Sequence, residues 1–526
     1  MEQVQPYAKR WWALGVLILS LFVISLDNTI MNVTLPTLVR ELGASATELQ
    51  WIVDAYVLVF AGLLLTAGSL GDRFGRKGAL TIGLLLFGLG SAAGAFASSP
   101  AQLIAIRAFM GIGGALIMPA TLSILTNVFP AGERARAIAI WSAVAGLGFG
   151  LGPAIGGWML ERFWWGSVLL VNVPVVTLAI VLGRALIPTS KDPAADRPDP
   201  LGAVLSVAAL AALLYGIIEA PRNGWGDAAT LLWIGGGLGL LGTFAAWELR
   251  TDHPMLDMRF FRNPRFTAAS VSITLSFFAL AGSMFFLTQI FQFLMGYSTL
   301  KAGVAILPAA LASAAGAPTG ALLAKRFGSK AAVVAGLATI AAGLAIVGTL
   351  STSSGYGLLL VAMIVAGFGV GVAMTPATES IMGSLPTAKA GVGSAVNDTT
   401  REIGGALGVA VLGSLLVSTF GSQMAEVTAG LPTAAAEIAR DSLGGALAVA
   451  QQVGGQAGQG LVAAARTAFV DGTGLAMFVG AGFALGGALV ALLFLPARAR
   501  DEEGQRVITV EVEPIEDGDL VSERVA

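Results

Sequence analysis

The sequence predicts an all-α integral membrane protein with about fourteen transmembrane helices, arranged as two six-helix bundles and one inserted pair. The first observation is composition: 56% of the 526 residues are hydrophobic and 12% are charged, whereas soluble proteins carry about 25% charged residues. The second is the recurrence of apolar runs of about 20 residues, which is the length that spans a bilayer. The third is an internal repeat that relates the two halves of the chain. Together these observations exclude a water-soluble globular protein.

The apolar runs predict the transmembrane spans in chain order. They cover residues 12–35, 50–70, 79–98, 102–126, 136–159, 165–187, 200–220, 229–248, 266–294, 302–324, 331–350, 355–379, 391–420 and 470–495. An even number of spans places both termini on one side of the membrane. Most Lys and Arg residues outside the spans fall on that same side, which predicts that both termini are cytoplasmic and that the protein crosses the plasma (inner) membrane.

Two short motifs occur twice, in the same order and about half a chain apart. Residues 72–77 (DRFGRK) are echoed by residues 325–330 (KRFGSK), and residues 110–121 are echoed by residues 366–378. Parallel repeats with a site between them at the bilayer midplane are typical of transporters. The repeat therefore predicts two six-helix bundles related by a pseudo-two-fold axis.

The repeat also predicts how the chain is divided. The predicted parts are an N-terminal bundle at 1–187, a linker with two inserted helices at 188–265, a C-terminal bundle at 266–495 and an acidic cytoplasmic tail at 496–526. Within the second bundle, residues 421–469 are polar and are expected to be extracellular. They form either a cap or a loosely packed loop.

Asp27 places a carboxylate inside the first apolar run, and Arg107 places a guanidinium inside the fourth. A charged side chain at the centre of a membrane helix costs about 2.5–3.5 kcal/mol on insertion scales, so each needs a partner. Because both lie at a similar depth, we expect them to interact directly or through water. A nearby cation and burial have opposite effects on the proton affinity of a carboxyl, so conformational change would let Asp27 bind and release a proton. The alternative is a static salt bridge.

A second acid, Asp54, lies near the start of the second span, between Trp51 and Tyr56. Aromatic faces beside a carboxylate suit a lipophilic cation. The pattern predicts a substrate-binding site near the outer surface. The alternative is an interfacial aromatic belt with a solvated aspartate.

Span thirteen carries two further acids, Asp398 and Glu402, four residues apart on one helix face with Arg401 beside them. Charged groups at this depth are not expected to face lipid. The pattern predicts proton coupling or substrate binding from the inner side, and the alternative is a structural ion pair.

The ninth span combines glutamines with phenylalanines, including Gln289, Gln292 and Phe286. These side chains could line a substrate pocket that is mainly apolar, with the glutamines as its weakly polar groups. The alternative is that the phenylalanines pack or face lipid.

Four motifs resemble those of the major facilitator superfamily, in the expected order and spans. Residues 68–80 (GSLGDRFGRKGAL) resemble its loop signature between spans two and three, and residues 103–115 (LIAIRAFMGIGGA) resemble its fourth-span motif. Residues 148–157 (GFGLGPAIGG) are similar to the fifth-span motif of its antiporters. Residues 26–36 (LDNTIMNVTLP) are similar to the first-span motif of its fourteen-span drug–proton antiporters.

The resemblance implies the major facilitator fold and two gating elements. The loop signature would form a latch that closes the inner gate, or alternatively act only as a determinant of topology. By resemblance, the fifth-span motif would form a contact between the bundles that limits leak. The residues alone indicate a packing and bending site, since glycines allow close helix approach and proline favours a bend. The residues concerned are Asp72, Arg73 and Arg76 in the loop, and Gly152, Pro153 and Gly156 in the fifth span.

These observations predict a proton-coupled antiporter that exports amphipathic, cationic drugs or toxic small molecules by alternating access. The sequence has no P-loop motif, so the proton gradient is the expected energy source, with no cofactor and no metal. It has no cysteine, its single His253 lies in a polar connection, and it has no HExxH or GxSxG motif, so an enzyme is not expected. The alternative on the same fold is a dedicated exporter of an endogenous metabolite, lipid or antibiotic.

The expected partners are amphipathic small molecules, protons and the lipid bilayer, with the chain acting as a monomer. A net charge of −2 gives no basic field for nucleic acid. A membrane sensor or scaffold would have no need for acids within its spans. An importer on the same fold is disfavoured by the resemblance to the antiporter motif.

Overall fold

A computed structural model describes residues 7–191, 198–385 and 390–496, and this part of the chain contains helices and no strand. Its seventeen α-helices are α1 (Arg10–Leu42), α2 (Ala46–Phe74), α3 (Arg76–Ala95), α4 (Pro100–Val128), α5 (Ala131–Arg162), α6 (Ser167–Leu170), α7 (Asn172–Leu186), α8 (Pro200–Asn223), α9 (Ala228–Glu248), α10 (Pro264–Gln289), α11 (Thr299–Phe327), α12 (Ser329–Gly348), α13 (Tyr356–Met382), α14 (Ala390–Val427), α15 (Thr433–Asp441), α16 (Leu443–Val453) and α17 (Gly455–Phe494). A 3₁₀ helix at Met258–Arg262 precedes α10, and a π-helical turn at Ile290–Leu294 follows it. Residues 192–197 of the predicted linker and residues 497–526 of the predicted tail lie outside the described residues.

Thirteen segments of the described chain are long and apolar enough to cross a membrane. One of them, Ser167–Leu186, combines α6 and α7, and another, Pro264–Leu294, combines α10 with the π turn. The 32-residue α5 packs in the same layer, against α1 and α11. With α5 included, the described chain contains the fourteen long segments that the apolar runs predict. The predicted all-α membrane fold is confirmed.

Polar residues set where several helices begin. Ser45 and Glu48 form a capping box at the start of α2, in which each side chain accepts the backbone N–H of the other. Three helices begin with proline at the first turn, after a residue whose side chain accepts a backbone N–H: Ser99 before α4, Asp199 before α8 and Asn263 before α10. These caps explain why the helices begin in the polar connections between the apolar runs.

The two halves of the chain repeat the same packing. In the first half, α1 packs on α5 and α7, while α4 packs on α2 and α3. In the second half, α10 packs on α14 and α17, while α13 packs on α11 and α12. The fold is therefore two six-helix bundles related by a pseudo-two-fold axis, with α8 and α9 between them in the sequence. We call the end of the structure where α1 begins the near end, and the opposite end the far end.

Two seams join the bundles, one between α5 and α11 and one between α2 and α14. In the first seam, Thr299 Oγ1 donates to the carbonyl oxygen of Gly157 at 3.0 Å. In the second, Ser414 Oγ donates to Gln50 Oε1 at 3.3 Å. Both hydrogen bonds lie toward the far end, so the bundles are closed against each other there.

The inserted pair lies over one seam only. α8 packs on both α2 and α14, and α9 packs mainly on α8. Glycines allow this close approach: a Cβ at Gly237 would lie 2.7 Å from the backbone nitrogen of Leu213, and one at Gly216 would lie 2.7 Å from Ile234 Cγ1. Most of α9 is exposed, and its apolar side chains are suited to face lipid.

Residues 421–469 are largely helical and lie across the far end. They extend α14, form α15 and α16, and begin α17. Gly444 of α16 packs against α1, where a Cβ would lie 2.7 Å from Val39 Cγ1. Asp441 of α15 accepts the backbone N–H of Ala46 at 2.8 Å, at the start of α2. The segment therefore packs as a cap that contacts the first bundle.

Candidate functional site

Asp27 and Arg107 form a buried ion pair between α1 and α4. Arg107 Nη1 donates to Asp27 Oδ2, and both side chains are at most 2% exposed. Arg107 Nε also donates to the carbonyl oxygen of Ile52 on α2, at 3.2 Å. Of the two interactions that the sequence allows, the structure has the direct one. Removing one partner of such a pair would leave an uncompensated buried charge, which costs about 3–5 kcal/mol.

A neutral amide completes the surroundings of Asp27. Asn172 Nδ2 donates to Asp27 Oδ1 at 2.9 Å and to Ser91 Oγ on α3 at 3.1 Å. Both Asn172 and Ser91 are fully buried. The two carboxylate oxygens of Asp27 therefore have different donors, the guanidinium on one side and the amide on the other.

Tyr56 connects this ion pair to aromatic packing in the first bundle. Its ring lies 4.3 Å from Arg107 Cζ, within the range of a cation–π interaction. It stacks on Phe60 at 5.7 Å and meets Phe87 edge-on at 6.4 Å between ring centroids. The Tyr56 hydroxyl is buried, and no hydrogen-bond partner for it occurs in the described chain.

Trp51 and Asp54 lie on another face of α2. Successive helix residues are about 100° apart, so Asp54 and Tyr56 point to nearly opposite sides. Trp51 packs on Tyr215 of α8, with ring centroids 6.2 Å apart. Asp54 is fully buried, and neither of its oxygens has a hydrogen-bond partner among the described residues. The structure thus brings Tyr56 to the Asp27 pair and separates it from Trp51 and Asp54.

The acids of α14 lie in the second bundle, around one arginine. Arg401 Nη1 lies 3.9 Å from Asp398 Oδ1, and Arg401 Nη2 donates to Thr378 Oγ1 at 3.4 Å. Asn397 Nδ2 donates to Asp398 Oδ1 at 3.4 Å. These distances describe a loose polar cluster at the start of α14 rather than a tight salt bridge.

Glu402 of α14 is an acid of the second bundle that lies within electrostatic range of Tyr56 in the first bundle. Its charge acts on the Tyr56 hydroxyl, as do the charges of Asp27 and Arg107. It also interacts with Asp398 and Arg401 on its own helix. Tyr56 is therefore a residue of the first bundle that faces both the Asp27 pair and Glu402 of the second bundle.

The predicted pocket residues of the ninth span are mostly engaged in packing. Gln292, in the π turn, donates from Nε2 to the carbonyl oxygen of Val33 on α1 at 2.9 Å, which links the two bundles. Gln289 Nε2 donates to the carbonyl oxygen of Phe285 in its own helix, at 3.1 Å. Phe286 is fully buried against Phe285.

The loop motif forms contacts within the first bundle. Arg76 Nε donates to Asp72 Oδ1 at 2.6 Å, and the backbone N–H of Arg76 donates to the carbonyl oxygen of Ser190 at 3.0 Å. Arg73 lies over the ring of Phe74, with its Cζ 5.7 Å from the centroid. A positive φ of 125° at Gly75 allows the sharp turn between α2 and α3. All of these contacts join the turn to its own bundle and linker.

Two residues of the fifth-span motif face α1. A Cβ at Gly152 would overlap Thr29 Oγ1, and a Cβ at Gly156 would overlap Ile30 Cγ1. Glycine at these positions lets α5 pack closely on α1, within the first bundle.

The neighbouring positions face the second bundle. A Cβ at Gly157 would overlap the carbonyl oxygen of Thr299, and a Cβ at Gly303 of α11 would overlap the carbonyl oxygen of Pro153. The expected contact between bundles therefore exists at Pro153 and Gly157, one helix face away from Gly152 and Gly156.

The family follows from a comparison of the whole chain. The model of the Major Facilitator Superfamily matches residues 17–409. The chain belongs to the major facilitator superfamily.

Several curated members of the superfamily resemble this chain over most of its length. The multidrug efflux pump LfrA of Mycolicibacterium smegmatis is 38% identical over 88% of this chain and 92% of its own length. The methyl viologen resistance protein SmvA of Salmonella typhimurium is 36% identical, over 88% and 93%. The tetracenomycin C resistance and export protein of Streptomyces glaucescens is 33% identical, over 92% and 91%.

Solved transporters share the fold at low sequence identity. A bacterial homologue of the human lysosomal transporter Spinster, in an inward-facing and occupied conformation, has a TM-score of 0.64 and 17% identity. It is matched over 94% of this chain and 99% of its own. The inward-open xylose transporter XylE from E. coli has a TM-score of 0.58 and 13% identity, over 94% and 98%. These similarities support the fold alone.

Sequence reasoning located the charged members of this major facilitator site but missed the neutral ones. Asp27 and Arg107 stand out because charge is rare in apolar spans. Asn172 and Ser91 are uncharged and resemble the many polar residues that pack against their own helix. The available signal was the Asn172-Val-Pro174 sequence, because proline disfavours a continuous helix through the preceding turn.

Proposed function

We propose that this protein exports amphipathic, cationic small molecules across the plasma membrane in exchange for protons. The near end would be cytoplasmic, as the distribution of Lys and Arg predicts. The observation that carries the proposal is the fully buried Asp27–Arg107 ion pair. This pair holds a carboxyl, which can bind a proton, inside a transporter fold. Export is supported by the curated relatives, whose names describe efflux and resistance.

Protonation of Asp27 would act on Arg107 first. A neutral carboxyl no longer attracts the guanidinium, so Arg107 would be held mainly by the carbonyl oxygen of Ile52 and the ring of Tyr56. Because the Tyr56 hydroxyl also lies within the field of Glu402, this change would reach the second bundle. A proton would in this way bias the relative position of the bundles, which is the requirement for coupling in alternating access.

The substrate would bind between the bundles, where acids and aromatic rings face the same space. Glu402 is half-buried with no hydrogen bond or ion pair in the described chain, so it is available to a cationic group. The aromatic ring of Tyr56 would provide an apolar surface beside it. We propose that the proton gradient supplies the energy, about 2.3 kcal/mol per charge for each 100 mV, and that the monomer is the working unit.

A dedicated exporter of one endogenous compound is the second candidate. The observation that favours it is the tetracenomycin C resistance and export protein, which is 33% identical over 92% of this chain. A panel of substrates distinguishes the two candidates. A multidrug exporter moves several unrelated lipophilic cations, whereas a dedicated exporter moves one chemical class.

Proton flux in reconstituted vesicles tests the proposal. Adding a lipophilic cation such as ethidium to vesicles with an imposed pH gradient should release protons from the acidic side while the cation accumulates there. Asp27→Asn should abolish both movements and leave the protein inserted. Asp227→Asn, the same chemical change at the exposed cap of α9, should leave both unchanged. Normal coupled transport by Asp27→Asn would exclude the proposed role of the ion pair.

A further inference from the structure

Asn172 occupies a break in the sixth span. α6 ends at Leu170, and α7 begins at Asn172. Pro174, two residues later, explains the break, because its ring would clash with the carbonyl of Leu170 in a continuous helix. The interruption is confined to Val171, and Asn172 is the first residue of α7, where its amide donates to Asp27 rather than to its own helix.

The amide of Asn172 has one satisfied end and one unsatisfied end. Nδ2 donates to both Asp27 and Ser91, as described above. Oδ1 is fully buried and has no hydrogen-bond partner in the described part of the chain. A buried amide oxygen without a donor is unfavourable, so its persistence suggests that it has a partner in another state of the site.

The proton that binds Asp27 is a suitable partner. A carboxylate only accepts hydrogen bonds, whereas a protonated carboxyl also donates one. A half-turn of the amide about its last side-chain bond would exchange Nδ2 and Oδ1, so that Oδ1 accepts the new O–H. One residue could then satisfy Asp27 in both protonation states without a change in the backbone.

We propose that Asn172 is a positioning residue for Asp27 that donates to its carboxylate, accepts from its protonated form, and so sets the pH at which it exchanges protons. The proposal deepens the proposed function and rests on proton coupling at Asp27. Among the described residues, the other ionisable groups around the site are Arg107 from α4 and Tyr56 from α2, with Glu402 of α14 acting on Tyr56.

Replacing the amide of Asn172 should raise the proton affinity of Asp27. Asn172→Leu removes a charge-assisted hydrogen bond from the carboxylate, which is roughly twice as strong as the neutral bond it removes from the protonated form. Asp27 should therefore bind its proton at a lower proton concentration. The midpoint of transport against pH should move upward by about one pH unit.

Three variants make the test specific. Asn172→Ser keeps a small group that can both donate and accept, so its midpoint should fall between wild type and Asn172→Leu. Ser91→Ala removes the second acceptor of the amide and should shift the midpoint less than Asn172→Leu. Asn32→Leu is the matched control, because Asn32 is buried on α1 but donates to the carbonyl oxygen of Asn28 in its own helix. It should leave the midpoint unchanged.

An infrared titration of the purified protein separates this inference from the proposed function. The band of the protonated carboxyl, assigned by its loss in Asp27→Asn, should titrate at higher pH in Asn172→Leu whether or not the vesicles transport. A band that titrates at the wild-type pH in both Asn172→Leu and Asn172→Ser overturns the inference. Absence of coupled flux in wild-type vesicles overturns the proposed function instead. Loss of transport amplitude with a fixed midpoint would reduce Asn172 to a structural role.

Discussion

The ion pair between Asp27 and Arg107 shows how much depends on single residues in a dry environment. Each charge is held by its partner and by one further hydrogen bond, from the amide of Asn172 to Asp27 or from Arg107 to the carbonyl oxygen of Ile52. In a low dielectric, leaving one charge alone is far more costly than removing both. The pair is therefore expected to respond differently to single and double replacement.

Stability measurements on the pair test this expectation. Arg107→Met leaves Asp27 buried without its counter-charge and should destabilise the protein by about 3–5 kcal/mol. Adding Asp27→Leu to it should recover most of this loss, because two apolar side chains of similar volume then fill the space. The midpoint of thermal unfolding in detergent is the readout. A double variant less stable than Arg107→Met would contradict the prediction, and both variants should fail in coupled transport.

At the residue scale, the sequence predicts the charged residues of the site, because charged side chains are rare in apolar spans. Their similar depth predicts that Asp27 and Arg107 interact, and the structure brings them together. The grouping of Trp51, Asp54 and Tyr56 was based on proximity in sequence, whereas helix geometry sends Tyr56 to the other side of α2. Side-chain direction depends on which neighbours a helix meets, and a single sequence does not carry that information directly.

At the scale of elements, α15 contributes a charge to the start of another helix. Asp441 accepts the N–H of Ala46, near the positive end of the α2 dipole. Burial nevertheless raises the pKa of Asp441 above its usual value, and the Ala46 N–H and Arg222 only partly oppose this effect, which Glu48 reinforces. The cap is thus joined to the first bundle through a carboxyl whose charged form is incompletely compensated.

Replacing Asp441 by asparagine should show how much this incompletely compensated charge lowers the stability of the protein. A carboxyl whose pKa is raised on folding contributes stability at low pH, and this contribution is lost as the pH rises through the folded value. Asp441→Asn keeps an acceptor for Ala46 without the charge, so it should unfold at a higher temperature than wild type near pH 7. The advantage should shrink as the pH falls through the raised pKa of Asp441 and its carboxyl becomes protonated. An advantage independent of pH would contradict this account, and Asp252→Asn in an exposed loop is the control.

The elements themselves were largely predictable. Apolar runs located the membrane helices, because length and hydropathy are sufficient for a segment surrounded by lipid. The break between α6 and α7 and the π turn after α10 were not predicted. The π turn has a tertiary partner, since Gln292 in it reaches Val33 on α1, whereas the break has its signal in Pro174 of the sequence.

On the scale of the whole molecule, closure of the far end depends on backbone contact between α5 and α11. Gly303 lies directly against Pro153, and the backbone N–H of Leu300 donates to Glu161 at 3.2 Å. Contacts this close tolerate no side chain. The closed far end should therefore be sensitive to a single methyl group.

Adding that methyl group should open the far end. Gly303→Ala would collide with the Pro153 carbonyl, while Gly239→Ala on α9 is a matched control, because a Cβ there meets nothing within 4 Å. The native chain has no cysteine, so Ser414→Cys, fully buried at the other seam, can report opening. A membrane-impermeant maleimide should label it faster with Gly303→Ala and at an unchanged rate with Gly239→Ala. Equal labelling in all three backgrounds would show that the glycine contact does not hold the far end closed.

The inserted pair makes the two seams unequal as entrances. α8 and α9 shield the seam between α2 and α14, whereas the seam between α5 and α11 is flanked by exposed side chains such as Leu151 and Leu311. For a lipophilic compound dissolved in one leaflet, the inserted pair would thus block the seam between α2 and α14 and leave the seam between α5 and α11 accessible. Among the described helices, lateral entry from the bilayer is therefore open at the seam between α5 and α11 and obstructed at the seam between α2 and α14.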